Sequence, residues 1–186
     1  MHMKRGVKNG FTLIELLVVI AILSILAVAV VLILNPAELL KQSRDATRIS
    51  DLAALNASIA HYIADVRTPT WNVVTNCTAS TIPPGGSGSC VEVSSTAVDG
   101  TGWVPINFSA ISSGAPLSRL PIDPVNSGSY YYMYAASTTI GYFELDAKME
   151  STKFSTGGAA DVESDSKDGG DNNNVYETGS ELDIVH

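Results

Sequence analysis

Nothing constrains this chain more than the run from Gly10 to Leu34, where from Leu16 onward the only polar side chain is Ser24. A bilayer core of roughly 30 Å needs an apolar helix of about 20 residues, and this run supplies one. The expectation is a chain anchored in a membrane by a single N-terminal helix. Lys4, Arg5 and Lys8 precede the run with no acid among them. Basic residues on that side keep the leader cytoplasmic and send everything beyond the helix outward. Glu15 breaks the pattern. An ionised carboxylate close to hydrocarbon costs on the order of a few kcal/mol and is rarely kept without a partner.

The segment Gly10-Phe11-Thr12-Leu13-Ile14-Glu15, placed after a short basic leader and before a long aliphatic helix, resembles the signal of type IV pilins and of the pseudopilins of type II secretion systems. The resemblance implies that a prepilin peptidase cuts between Gly10 and Phe11 and methylates the new amine, so that Phe11 becomes N-methylphenylalanine. It also implies a filament of packed helices in which Glu15 meets the Phe11 amine of a neighbouring copy. The implied partners are then further copies of the chain, the prepilin peptidase, an inner-membrane assembly platform and an assembly ATPase. A methylated amine still carries a proton, and an opposite charge in a low-dielectric setting is what would keep Glu15 ionised. Two plainer readings compete. Glu15 could snorkel from the end of an ordinary anchor. Alternatively, Ala27-Val28-Ala29 offers a site for ordinary signal peptidase, although Glu15 then interrupts the apolar region and Val30 to Leu34 follows the cut.

At 186 residues and 45% hydrophobic content, the chain has room for one domain beyond the anchor. Losing the three leader cations takes the formal charge from −8 to −11. So acidic an exterior argues against nonspecific nucleic-acid binding, which recruits Lys and Arg to phosphates. It suits a surface facing water or divalent cations. The only two cysteines, Cys77 and Cys90, both follow the anchor. In an exported domain they read as one disulfide closing the Pro-, Gly- and Ser-rich loop from Thr78 to Ser89, a closure contributing roughly 3 kcal/mol in the chain-entropy model. Two unpaired thiols are the alternative.

Pro36 removes a helical hydrogen bond and disfavours an α conformation at Asn35. From Ala37 to Val66 the sequence reads as an amphipathic helix with Ile49, Leu52, Ala53, Asn56, Ile59, Ala60 and Ile63 on one stripe. Lys41, Arg44, Asp45, Arg48 and Asp51 fall on its other faces. His61 and Tyr62 come late on this helix, and the His reads as a rim residue. Thr70 to Gly114 reads as a loop region with one or two short strands, with Trp71 and Trp103 as packing anchors.

Leu120-Pro121-Ile122-Asp123-Pro124 resembles an element of major pseudopilins, and Asp-Pro fits a turn entering a sheet. Tyr130 to Tyr134 and Tyr142 to Ala147 then read as two antiparallel strands, the second with Phe143, Leu145 and Ala147 on a dry face and Glu144, Asp146 and Lys148 on a wet one. The tyrosine run reads as strand packing. The expected fold class is α+β and pilin-like: a long, kinked N-terminal helix, transmembrane over residues 11–34 and amphipathic over 35–66, packed on a small antiparallel sheet within an exported domain of residues 67–186, with residues 1–10 as the leader.

The tail gathers Asp161, Glu163, Asp165, Asp168, Asp171, Asn172, Asn173, Asn174, Glu177, Glu181 and Asp183 in a Gly-rich segment. Hard oxygen ligands of this kind suit Ca²⁺, but Asp168-Gly169-Gly170-Asp171 does not follow the EF-hand spacing. Major pseudopilins bind calcium in this region, so the resemblance supports a calcium site, with Asp168, Asp171 and Asn173 as candidate ligands. The alternative is a solvated acidic loop. There is no nucleophile elbow, phosphate loop or zinc motif, and of the histidines His2, His61 and His186 two lie at the ends of the chain. A structural filament subunit is thus expected rather than an enzyme. The rival class is a membrane-tethered, calcium-dependent binding module that never polymerises.

Overall fold

Helix α1 (Leu13–Leu34) starts where Thr12, in an extended conformation, supplies the N-cap. In the computed structural model, which describes residues 10–86 and 88–185 apart from the side chain of Leu32, its described side chains are exposed along the whole length. Lys4, Arg5, Lys8, His2 and His186 lie outside the described residues. Ser24, the polar exception, turns its hydroxyl inward and donates to the carbonyl of Ile20 at 2.7 Å, so it presents little polarity to a surrounding bilayer. Asn35 then leaves the helical region for the left-handed one at φ 40°, a conformation that Asn tolerates better than most residues. Its carbonyl accepts from Glu38 and Leu39, opening α2 (Pro36–Asp65) with Pro36 at a position where no N–H is required. The kink expected at Asn35-Pro36 is thus a one-residue break between two helices.

The chain forms two compact units that divide between Leu39 and Leu40. In the second, α2 packs on a five-stranded sheet of order β2-β1-β3-β4-β5, made from β1 (Thr75–Cys77), β2 (Val91–Glu92), β3 (Tyr132–Ala136), β4 (Phe143–Ala147) and β5 (Tyr176–Gly179). The β3–β4 hairpin is the antiparallel pair expected from the sequence. The β1–β2 pair is parallel, which makes the sheet mixed. Trp103 to Phe108 forms no strand and leads into a 3₁₀ turn at Phe108–Ala110. Trp103 is nonetheless wholly buried, its indole N–H donating to the carbonyl of Pro121 at 3.0 Å.

The buried stripe of α2 is Leu52, Leu55, Ile59 and Tyr62, packed against Tyr132, Tyr134, Phe143 and Leu145 of the sheet. Ala53 and Ala60, expected on that stripe, are exposed. The stripe instead extends towards the N-terminus through Arg48 and Asp45, both wholly buried. They can be buried because they are paired: Arg48 holds Asp123 through two bonds of 2.6 and 3.0 Å, Asp45 at 2.7 Å and Glu150 at 2.6 Å. Arg44 grips Glu150 at 2.8 and 2.6 Å. Asp45 also accepts from the backbone of Glu150 and Ser151. This network ties α2 to the Asp-Pro turn and to the segment after β4. Of the charges expected off the apolar stripe, Asp45 and Arg48 are instead buried, since periodicity in apolar residues cannot reveal a buried ion pair.

The wet face expected for β4 is also absent. All five of its residues are buried, because the disulfide-bonded Cys77 and Cys90, together with Tyr131, Met133 and Ala135, form a second cluster on the face away from α2, and Ile184 and Val185 pack against it.

Candidate functional site

Two places carry chemistry. The first is the start of α1. Gly10 and Phe11 precede the helix, Phe11 is 86% exposed, and among the described residues none beyond its chain neighbours lies within 4 Å of where a side chain on Gly10 would begin. Glu15 folds back over this end of the helix. One of its carboxylate oxygens accepts from the backbone N–H of Thr12 at 2.8 Å and from its hydroxyl at 2.7 Å, while the Glu15 N–H donates to the Thr12 hydroxyl at 3.3 Å. This is a capping box, in which each residue satisfies a donor left over at a helix start. Thr12 was not singled out from the sequence, although Ser/Thr followed three residues later by Glu is the signal that would have found it. The arrangement keeps the Gly10–Phe11 bond outside the helix and gives the Glu15 carboxylate local donors.

The second place is on the sheet face away from α2. Glu144 and Asp146 alternate on β4, and the β4–β5 register sets Glu177 opposite Asp146. One oxygen from each of these three carboxyl groups can be chosen so that all lie within 4.8 Å of one another, and each residue is at most 1% exposed. Glu144 accepts from the Ile184 N–H at 2.9 Å and Glu177 from the Asn172 N–H at 3.0 Å. The Glu177 carboxylate lies so close to Gly170 that a side chain there would overlap it. Burial pushes the Asp146 carboxyl well above its ordinary range. Glu177, Asp171 and Asp168 add to the shift, while a hydrogen bond with Glu144 works against it. All-oxygen donors brought this close fit a hard divalent cation such as calcium, whose charge would offset the crowding of acids.

Of the three ligands expected from the tail, Asp168 lies beside this cluster. It accepts from the Gly170 and Glu177 N–H groups, each at 3.1 Å, and burial raises its carboxyl. Asp171 is exposed. Asn173 is engaged within the loop, accepting from the Asp165 N–H at 3.2 Å through its side chain and from the Thr156 hydroxyl through its carbonyl. The carboxyl groups brought together are Glu144, Asp146 and Glu177, and strand alternation had assigned the first two to solvent. His61 is exposed near the end of α2.

Residues 5–31 match the family model described as the prokaryotic N-terminal methylation motif. Neither a curated protein nor a solved structure matches the chain. The matched stretch spans the expected cut, the capping box and the whole of Leu13–Val31, a segment long and apolar enough to cross a membrane.

Proposed function

Taking the chain as a type IV pilin-like prepilin, a membrane-anchored prepilin-peptidase substrate, we propose that its mature form is a structural subunit of a type IV pilus-like or type II secretion pseudopilus filament. The observation that carries this is the methylation motif lying over an exposed Gly10–Phe11 bond at the start of an apolar helix. Cutting there frees an amine at Phe11. Glu15 then exchanges its Thr12 donors for the methylated amine of a neighbouring copy, which sets the register between packed helices while an assembly platform and its ATPase draw subunits from the bilayer.

The exported part binds calcium through Glu144, Asp146 and Glu177, with Asp168 close by. The ion supplies positive charge that holds the loop before β5 against β4.

N-terminal mass spectrometry of the mature protein tests the processing, and a first residue other than N-methylated Phe11 would end this reading. Glu15→Ala is expected to be cut normally yet to yield few filaments by electron microscopy. A wild-type yield of fibres would overturn the pairing, and fibres missing from the unmutated protein would favour a tether that does not polymerise. For calcium the measurement is a chelator-dependent shift in melting temperature.

A further inference from the structure

The cover over the three carboxylates is held partly from outside itself. It has two parts, the loop that carries Asn172 and the C-terminal segment at Ile184, and each reaches the cluster through a backbone N–H, Asn172 to Glu177 and Ile184 to Glu144. Both parts also lean on the loop closed by Cys77 and Cys90. Gly85, at φ +91°, lies against the Asn172 side chain so closely that an added Cβ would sit 2.7 Å from its amide nitrogen and 3.1 Å from Val175. Further along the same loop, a Cβ on Gly88 would contact Val185 at 3.7 Å. Ile184 and Val185 pack on the cluster that contains the disulfide itself. The Tyr131 hydroxyl donates to the carbonyl of Ile82, which fixes the loop to the sheet next to β3, and the Cys90 N–H donates to the carbonyl of Thr81 across the loop itself.

We propose that the Cys77–Cys90 disulfide is the clamp that holds this cover closed, so that calcium affinity at Glu144, Asp146 and Glu177 depends on the cysteines being oxidised. This rests on the calcium reading above. The physical reason is that a cross-link confines the segment between its cysteines, and here that segment serves as the wall against which two other segments are ordered. Without it, residues 78–89 gain freedom and both parts of the cover lose their backing. A subunit then acquires its full calcium affinity only after reaching an oxidising compartment.

The test compares the full chain in detergent micelles, oxidised, with its Cys77→Ser/Cys90→Ser variant, reading amide hydrogen exchange with chelator present and calcium chloride titrations by calorimetry. In the variant, exchange across residues 168–177 and 184–185 rises about tenfold or more, as local opening allows, while the amides of Leu52 to Tyr62 keep their protection. Calcium binding weakens by about tenfold. Faster exchange confined to residues 78–89 would overturn the clamp. Should the variant fail to protect Leu52 to Tyr62, Gly85→Ala disturbs the wall with the disulfide intact, and residues 168–177, against which Gly85 lies, must exchange faster or the proposal falls. An oxidised chain that binds no calcium sinks the calcium reading alone, since the exchange comparison in chelator decides the clamp without the ion.

Discussion

Among the described residues of the second unit, the buried charges around Arg48 and those around Asp146 differ in composition. Around Arg48, two guanidinium groups face Asp45, Asp123 and Glu150, and the set is nearly self-neutralising. Burial works against the Arg48 charge, but Asp123, Glu150 and Asp45 more than offset it and raise its pKa. Glu150 is held below its ordinary value, chiefly by Arg44. Around Asp146 the same burial acts on a gathering of acids, and that carboxyl is pushed upward. One group is complete within the chain and serves as a joint between α2 and two loops. The other brings acids together, and under the calcium binding proposed above it would gain from a cation supplied from outside. The difference teaches that burial alone does not separate a structural ion pair from a binding site, whereas the sign of the neighbouring charges does.

The largest effect should come from breaking the first group. Arg48→Met leaves the Asp45 and Asp123 carboxylates buried against an apolar side chain, Glu150 keeping Arg44, and should cost about 3–5 kcal/mol, read as a lower urea midpoint for the full chain in detergent; a loss below about 1 kcal/mol would show the network to be solvated and dispensable. In the second group, calcium at about a hundredfold over its Kd should add about 3 kcal/mol. Asp146→Asn should abolish that gain while raising stability in chelator, because it removes a charge from the crowd. If Asp146→Asn retained the calcium shift, the ion would have to bind elsewhere.

Acid and base sharpen the contrast. The depressed Glu150 pKa contributes stability that is present above its ordinary value of 4.5 and lost as the pH falls through the lower folded value. The raised Asp146 pKa acts in the opposite sense, contributing stability that is present below its ordinary 3.8 and lost as the pH rises through the elevated folded value. In chelator, urea stability should therefore peak where the two windows overlap, at about pH 4, and decline above it, and calcium should lift only the high-pH side. An unbroken climb to about pH 8 without calcium would contradict the assignment for Asp146. The smallest change comes at the edge of the contact between α2 and β5, where the Asn56 amide donates to the Thr178 hydroxyl at 2.9 Å. Asn56→Ala should cost about 1 kcal/mol and leave the calcium shift unchanged, as a control that β5 can be loosened without touching the carboxylates.

The anchor, the helix after Pro36 and the β3–β4 hairpin were all legible in the sequence, because each follows from local periodicity or from a backbone restriction. The α+β class followed from them. Less legible was which face of α2 turns inward. Ala53 and Ala60 fit the apolar spacing as well as Leu55 does, and nothing local announces that Arg48 will be buried 75 positions before its partner Asp123. Strand alternation likewise misplaced Glu144 and Asp146. It assumes that one side of a sheet is wet, and here the C-terminal segment and the disulfide loop cover that side.

By itself the sequence determined the anchoring helix and the processing signal, since bilayer thickness and a short contiguous motif act over neighbouring residues. Only the tertiary structure decided which acids would meet. Glu144 and Glu177 are far apart along the chain, and it is the pairing of β4 with β5, closed in by the disulfide loop and the C-terminal segment, that removes their carboxyl groups from water and brings them together.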